Sequence, residues 1–465
     1  MVAMLELQGA PSGLRSHSNG SNVTATDSKK YAEEDAGALF VLESKGSWVH
    51  AGYHLTTSIA APALLSLPFA FAGLGWVAGI LILLLGASIT FYSYNLLSKV
   101  LERLASSGHR HLRFRDLAHD VLGRKWSLCF VTPVQFAVCF GAVIGCTIIG
   151  GQSMKFIYTV YRPDGSMKLY EFIIFFGLMM LLLSQLPSFH SLRYINFLSL
   201  LMCLCYSVCA VGGSIYAGHH QSRNSDYSIH GGTVSKTFGV LNSFAIIATT
   251  YGNGIIPEIQ ATLAPPVTGK MFKGLCICYS VVVSTFFSVA VSGYWAFGNQ
   301  SSGNLLSNFA PSGQPSLVPN WLIVLANACV LVQLFSVALV YSQPTFEVLE
   351  GKASDTKEGR FSLRNFLPRV ALRGTYVALA TFIAAMLPFF GDINALIGAF
   401  GFLPLDFIFP MVFYNLVFKP SHRSTVFLFN TIISIIFVLV SVLSCIAAVR
   451  QIVLDANQYK LFANL

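Results

Sequence analysis

Thr57-Ser58-Ile59-Ala60-Ala61-Pro62-Ala63-Leu64-Leu65-Ser66-Leu67-Pro68 is an apolar run that carries its helix breakers in the middle. A second run, Thr249-Thr250-Tyr251-Gly252-Asn253-Gly254-Ile255-Ile256-Pro257-Glu258-Ile259-Gln260, does the same. A proline inside a helix costs about 3 kcal/mol, and glycine about 1 kcal/mol relative to alanine. In hydrocarbon the freed backbone groups have no water to bond, so broken helix at that depth is tolerated only where protein buries it or it lines a cavity. Two such breaks at corresponding places in two halves of a chain point to the binding site of a secondary transporter.

The rest of the chain agrees with a membrane setting. It has 465 residues, of which 54% are hydrophobic and 11% charged, and its mean hydropathy is +0.64. Soluble domains carry about 25% charged residues. Residues 1–47 are polar, without the apolar core of a signal peptide, and read as a disordered tail. With about 20 apolar residues per span, eleven spans follow, near 49–72, 77–101, 128–154, 170–187, 191–217, 237–260, 272–297, 319–343, 369–390, 392–418 and 424–449. The expected fold is an all-α integral membrane protein with breaks in spans 1 and 6. That five-span offset suits a 5+5 inverted repeat plus one: 48–218 for spans 1–5, 219–418 for spans 6–10, and 419–465 for span 11 and a short tail.

The net charge is +9, but its distribution matters more than its sign. With the N-terminus inside, 22 of the 29 Lys and Arg fall on the inner side, including Arg103, Arg110, Arg113, Arg115, Arg124 and Lys125 after span 2. Residues 298–318 carry no charge and fall outside. The positive-inside rule accounts for this basic balance, with the bilayer as partner and no nucleic acid. An odd number of spans puts the C-terminus outside. Asn299-Gln300-Ser301 is then a glycosylation sequon on an outer loop. The ten cysteines lie in apolar segments and read as small buried hydrophobes, with neither a disulfide framework nor a metal site. No cofactor, obligate protein partner or nucleophile–base pair is evident, so an enzyme is the least favoured class and none is expected.

The chemistry falls on the breaks. Around Ser58, Ala61, Pro62 and Ala63 the freed N–H groups at the start of the second half-helix suit a carboxylate. Around Gly252 and Gly254 the backbone passes close to a ligand, and Tyr251 and Asn253 offer side-chain hydrogen bonds. Gln135 in span 3 and Gln333 and Ser336 in span 8 are polar groups placed to line the site. Gly141-x-x-x-Gly145 reads as close helix packing. Acids inside spans are costly and functional by default, so Glu258 and Asp406 are candidate proton carriers, with His54 a third. The alternative for Glu258 is a helix-end carboxylate paired with Lys270 or Lys273. The alternative for Asp406 is a structural pairing with a neighbouring span.

Several longer stretches carry a resemblance. They are Ala36-Gly37-Ala38-Leu39-Phe40-Val41-Leu42 with Ser44-Lys45-Gly46, His54-Leu55-Thr56-Thr57-Ser58-Ile59, Gln185 through Asn196, Tyr251 through Pro266, Ala385 through Asp392, and Leu454-Asp455-Ala456-Asn457. Through them the chain resembles the plant GABA transporter branch of the amino acid/auxin permease family. The resemblance implies a LeuT-like fold, a plasma-membrane location and proton-driven uptake of GABA, with the proton as coupling ion. Many relatives carry Gly-x-Gly at the first break. Ala61-Pro62-Ala63 stands here instead, compatible with a guest whose amine lies far from its carboxylate. A proton-coupled permease for proline or other neutral amino acids, and a substrate-binding membrane sensor, are the alternatives.

Overall fold

The computed structural model describes residues 46–185, 193–220, 226–229, 232–264, 266–311, 315–355, 362–387 and 390–458. The expected disordered tail lies outside the described residues except for Gly46 and Ser47. Both belong to the folded body. Gly46 N–H donates to the Thr262 carbonyl (2.7 Å), and Ala264 N–H donates to the Gly46 carbonyl (2.9 Å). The Ser47 hydroxyl caps the helix that follows.

Regular structure among the described residues is helical, apart from one isolated bridge between Gly46 and Leu263. Eight stretches are long and apolar enough to cross a membrane, and Leu169–Leu183 is a shorter apolar helix. In chain order the first elements are α1 (Trp48–Ile59), a 3-10 turn (Pro62–Ser66) and α2 (Leu67–Ser106), which turns sharply at Gly75 (φ 76°). Then come α3 (Phe114–Leu122), α4 (Thr132–Tyr161), α5 (Leu169–Leu183) and α6 (Arg193–His220). The second broken segment supplies α7 (Thr233–Tyr251) and α8 (Ile256–Ala261). After it run α9 (Lys270–Phe297), the short α10 (Leu305–Phe309), α11 (Asn320–Ala353) and α12 (Leu363–Met386). The chain closes with α13 (Phe390–Ile397), a π-helical stretch (Gly398–Ile408), α14 (Phe409–Phe418) and α15 (Thr425–Gln458).

Burial sorts these helices into centre and rim. The most apolar window of Ile393–Phe418 is 78% buried and that of Asn320–Gly351 is 67% buried, which puts both at the centre of the bundle. The corresponding window of α15 is only 28% buried. Ile432, Ile435, Leu439, Val442 and Ile446 on it stand exposed, as a lipid-facing helix requires. Lipid is as apolar as leucine, so close packing rather than hydrophobicity draws spans together, and small residues mark the contacts. Gly150 and Gly151 of α4 lie against Phe176 and Ile173 of α5, with no room for a Cβ.

No span-length apolar run occurs between residues 102 and 127, yet α3 forms there. Phe114, Leu117 and Ala118 recur at helical spacing and are buried, while Arg115 and Asp116 are half-buried. The π-helical stretch is the other element that composition conceals. Gly398 and Gly401 permit close approach there, and Pro404 lacks an N–H.

Candidate functional site

The first break opens at Ala60 (ψ 56°), followed by Ala61 in an extended conformation (ψ 165°). Pro62 starts the next turn and brings no N–H. Ala63 N–H has no hydrogen-bond partner among the described residues. The Ala60 carbonyl, freed by the break, accepts from Gln333 Nε2 of α11 (2.6 Å) and from Cys203 Sγ of α6 (3.4 Å).

The second break runs from Gly252 to Ile255, between α7 and α8. Gly254 sits at φ 63°, where a side chain would be strained. A Cβ at Gly252 would overlap the Phe402 ring. The freed amides are held from the π-helical stretch. Asn253 N–H donates to Asp406 Oδ2 and Gly254 N–H to Asp406 Oδ1, each at 2.9 Å. One carboxylate therefore caps two consecutive amides of the break. Asp406 is in turn fixed through its own carbonyl by the Ser93 hydroxyl of α2.

The two breaks bind each other directly. Asn253 Nδ2 donates to Ser58 Oγ (2.5 Å), and Asn253 Oδ1 accepts from Ile255 N–H (3.0 Å). Tyr341 of α11 spans both breaks. Its hydroxyl lies 3.1 Å from the Ser58 carbonyl and 3.4 Å from the Gly252 carbonyl. Tyr94 OH donates to the Tyr251 carbonyl (2.8 Å), and Tyr251 OH donates to the Leu83 carbonyl (2.9 Å).

A cavity of about 50 Å³ opens beside the first break. Ser58, Ala61, Pro62 and Ala63 form one wall, and Gly145, Cys146 and Ile149 of α4 another. Thr249, Val337, Tyr341, Asn394 and Phe402 close it. Thr249 Oγ1 donates to the Asn394 carbonyl (2.6 Å). Asn394 Nδ2 is buried without a partner among the described residues. The site therefore presents two orphan donors, the Ala63 amide and the Asn394 side chain, in a mostly apolar chamber.

Of the residues singled out in the sequence, Ser58, Ala61, Pro62 and Ala63 line this cavity. Gly252 and Asn253 touch its rim through Tyr341 and Ser58. Gln333 holds the backbone of the first break, while Tyr251 packs away toward α2. Ser336 faces α6, with its hydroxyl 3.5 Å from the Ile195 carbonyl. Gln135 lies beside the second break, where its Nε2 donates to Glu258 Oε1 (2.7 Å) and to the Gly254 carbonyl (3.2 Å).

Glu258 is buried at the start of α8. Its Oε1 also accepts from Phe114 N–H of α3 (2.9 Å), while its Oε2 has no partner. The expected alternative pairing does not occur, since Lys270 donates instead to the Ala264 carbonyl (2.8 Å). Among the described residues neither Glu258 nor Asp406 forms an ion pair. His54 is buried, with its Nδ1 2.6 Å from Asn196 Nδ2. Asn299 N–H and side-chain amide are engaged by the Asp226 and Ser228 carbonyls. No group of three metal-ligating side chains occurs among the described residues.

Residues 44–454 match the family model described as transmembrane amino acid transporter protein. The chain belongs to that family. It is 56% identical over 443 residues to GABA transporter 1 of Arabidopsis thaliana, covering 94% of this chain and 98% of the relative. It is 30% identical to lysine histidine transporter-like 1 of the same plant, with 90% of each covered. Among solved structures it resembles a Na+-coupled sialic acid symporter in a substrate-bound outward-open state, with TM-score 0.54 and 12% identity over 93% of this chain and 94% of that one. It also resembles MhsT in complex with L-phenylalanine, with TM-score 0.55 and 10% identity over 87% of this chain and 99% of that one. These last two establish a LeuT-type fold. The family consists of amino acid transporters, not enzymes.

Sequence reasoning missed Tyr341, Asn394, Phe402, Gly145 and Thr249. Tyr341, Asn394 and Gly145 come from helices without a break at that residue, Phe402 from the π-helical stretch, and Thr249 from the quoted second run just before its break. The usable signal was partial. Gly145 stands in a glycine pair read as packing, which holds for Gly141 against Ile397. Asn394 follows the Gly391-Asp392 motif.

Proposed function

We propose that this transporter imports GABA across the plasma membrane by proton symport. The observation that carries the coupling is the placement of two buried carboxyls without an ion-pair partner among the described residues, Asp406 on the amides of the second break and Glu258 just beyond it. An intramembrane carboxyl of that kind is a functional candidate by default, and proton relays are among its known uses. Asp406 holds the amides of the break and Glu258 anchors the half-helix beyond it. A proton arriving at either would weaken an acceptor that positions the moving segment.

The substrate reading rests on the relative named as a GABA transporter and on the chamber. A carboxylate fits the orphan donors at Ala63 and Asn394. The methylene chain of an ω-amino acid fits the apolar wall of Ile149, Val337 and Phe402. The architecture proposed is eleven spans in a 5+5 repeat plus one. The long stretch from Trp48 to Ser106 turns at Gly75 and supplies two spans. Thr233–Ala261 supplies one across its break, and Leu169–Leu183 another.

Radiolabelled GABA uptake into proteoliposomes tests the proposal. Uptake is expected to rise with acid outside, to collapse with a protonophore and to be indifferent to sodium. Sodium-dependent uptake that ignores pH would reject it.

A further inference from the structure

A helix that stops inside the membrane leaves the carbonyls of its last turn without amide partners. In many transporters such freed carbonyls coordinate the coupling cation. At the first break they have other partners. The Thr56 carbonyl accepts from Ala60 N–H and the Ile59 carbonyl from Ala61 N–H, each at 2.8 Å, and the Ala61 carbonyl accepts from Leu64 N–H (3.0 Å). The Ser58 carbonyl accepts from Tyr341 OH (3.1 Å). The Ala60 carbonyl takes two donors, Gln333 Nε2 (2.6 Å) and Cys203 Sγ (3.4 Å), which engage both of its lone pairs. A carbonyl can only accept, so it is the nitrogen of the Gln333 amide that faces it.

The surroundings of that carbonyl are dry and neutral. Ala60, Cys203 and Gln333 are all fully buried. The Cys203 thiol lies beside Tyr206 and Ser207 of α6 as well as Gln333. An amide, a thiol and two hydroxyls meet there, with no carboxylate among them. Both oxygens of Asp406 are engaged by the amides of the second break. A cation at the Ala60 carbonyl would have to displace Gln333 Nε2 and would meet no compensating charge, and burying a charge in that way is costly.

We propose, resting on the symport reading above, that Gln333 sets the ion specificity of the transporter. Its amide stands in the place of a coupling cation at the Ala60 carbonyl, so the first break keeps its shape without sodium. The N–H presents a partial positive charge to the carbonyl, as a cation would, but α11 carries it and it never leaves. The charge that moves must then come from elsewhere, and the carboxyls at the second break supply its place. Exchanging the donor for an acceptor reverses the preference. In Gln333→Glu a carboxylate oxygen faces the carbonyl oxygen at contact distance, and a small cation between them relieves the repulsion. Tyr206 and Ser207 offer neutral oxygens beside it.

The test compares the full-length wild type with Gln333→Glu at about pH 8, well above the ordinary carboxylate range. In about 0.1 M sodium chloride the melting temperature of Gln333→Glu is expected to stand about 3 °C above its value in choline chloride, while the wild type melts alike in both. In proteoliposomes, the KM for equilibrium exchange of labelled GABA by Gln333→Glu is expected about ten-fold above wild type in choline and within about two-fold of it in sodium. Gln333→Leu removes the donor without adding charge, and is expected to be weakened equally in both media. No sodium shift in the melting of Gln333→Glu, or no sodium effect on its exchange KM, overturns the proposal. A sodium response shared by Gln333→Leu overturns it as well. Should Gln333→Glu yield no folded protein, Cys203→Asp brings a carboxylate to the same carbonyl from α6, and its indifference to sodium overturns the proposal in the same way. Sodium-dependent uptake by the wild type would defeat the symport reading and this assignment together. A wild type that carries no GABA defeats only the substrate reading, and the melting comparison then decides alone.

Discussion

Asp406 does at one position what a capping residue does at a helix end, but for a break inside the membrane. Its two oxygens accept from two consecutive amides, at Asn253 and Gly254. Asp406→Asn keeps the shape and replaces one acceptor by an NH2 group that faces a donor. An unpaired buried polar group costs about 1–3 kcal/mol. The expected outcome is a lower melting temperature in detergent together with loss of uptake, read on protein of normal membrane abundance. A variant that melts and transports like the wild type would show that the amides need no carboxylate. Glu258 is a different case, because its Oε1 has two donors and its Oε2 none. Glu258→Gln can keep an oxygen toward Phe114 N–H and Gln135, so the half-helix stays anchored. It cannot release a proton. Equilibrium exchange of labelled GABA is expected to survive while pH-driven accumulation is lost. Normal accumulation in that variant would remove Glu258 from coupling and pass the role to Asp406 or His54.

At the scale of elements, the end of the bundle that holds Glu258 is tied by α3. Phe114 N–H reaches Glu258 on α8, while Arg113 and Arg115 reach Glu347 on α11 at 2.5 and 3.1 Å. Glu347 is 3% exposed, so its removal takes a buried acceptor from two guanidinium groups and leaves them the half-exposed Asp116. Breaking a buried pair costs about 3–5 kcal/mol. Hydrogen exchange over residues 113–122 in Glu347→Gln is therefore expected to speed up by about a hundred-fold or more, as the helix detaches locally. Unchanged protection would mean that packing of Phe114 and Leu117 holds α3 alone. This strap also marks how far the sequence could be read. Breaks announce themselves because Pro62, Gly252, Gly254 and Pro257 are expensive in a span. The basic loop after span 2 was legible as a charge signal, but its partner was not, since Glu347 and Glu350 look like ordinary helix-end acids. Glu350 in fact takes Arg373, which also stacks on Phe346 at 4.6 Å. Tyr341 was illegible for a related reason. An aromatic residue in a regular helix has the same local signature whether it packs or bridges two breaks, and only the tertiary arrangement separates it from Ser336, a turn away, which faces α6.

At the scale of the molecule, the broken segments lie within a bundle whose charge is lopsided. That asymmetry predicts an N-terminus inside and a C-terminus outside, by the 22 to 7 partition of basic residues. A C-terminal tag should react with antibody on intact cells, and a protected tag would demand an even number of spans. The driving force takes its sign from the co-transported charge instead. GABA is a zwitterion near neutral pH, so under the proposed symport one accompanying proton makes each inward cycle move one positive charge. A potential of 100 mV acts on that charge with about 2.3 kcal/mol, roughly a 50-fold concentration ratio. One unit of pH gradient adds about 1.4 kcal/mol, a further factor of roughly ten. Sealed vesicles held at 100 mV and one pH unit should therefore approach a GABA ratio of roughly 500, and clamping the potential to zero should lower it to about ten. A ratio that responds to the pH gradient but not to the potential would mean that a compensating charge moves with the proton. Neither Asp406 nor Glu258 could then be the sole carrier, and the coupling would have to be sought in a counter-transported ion.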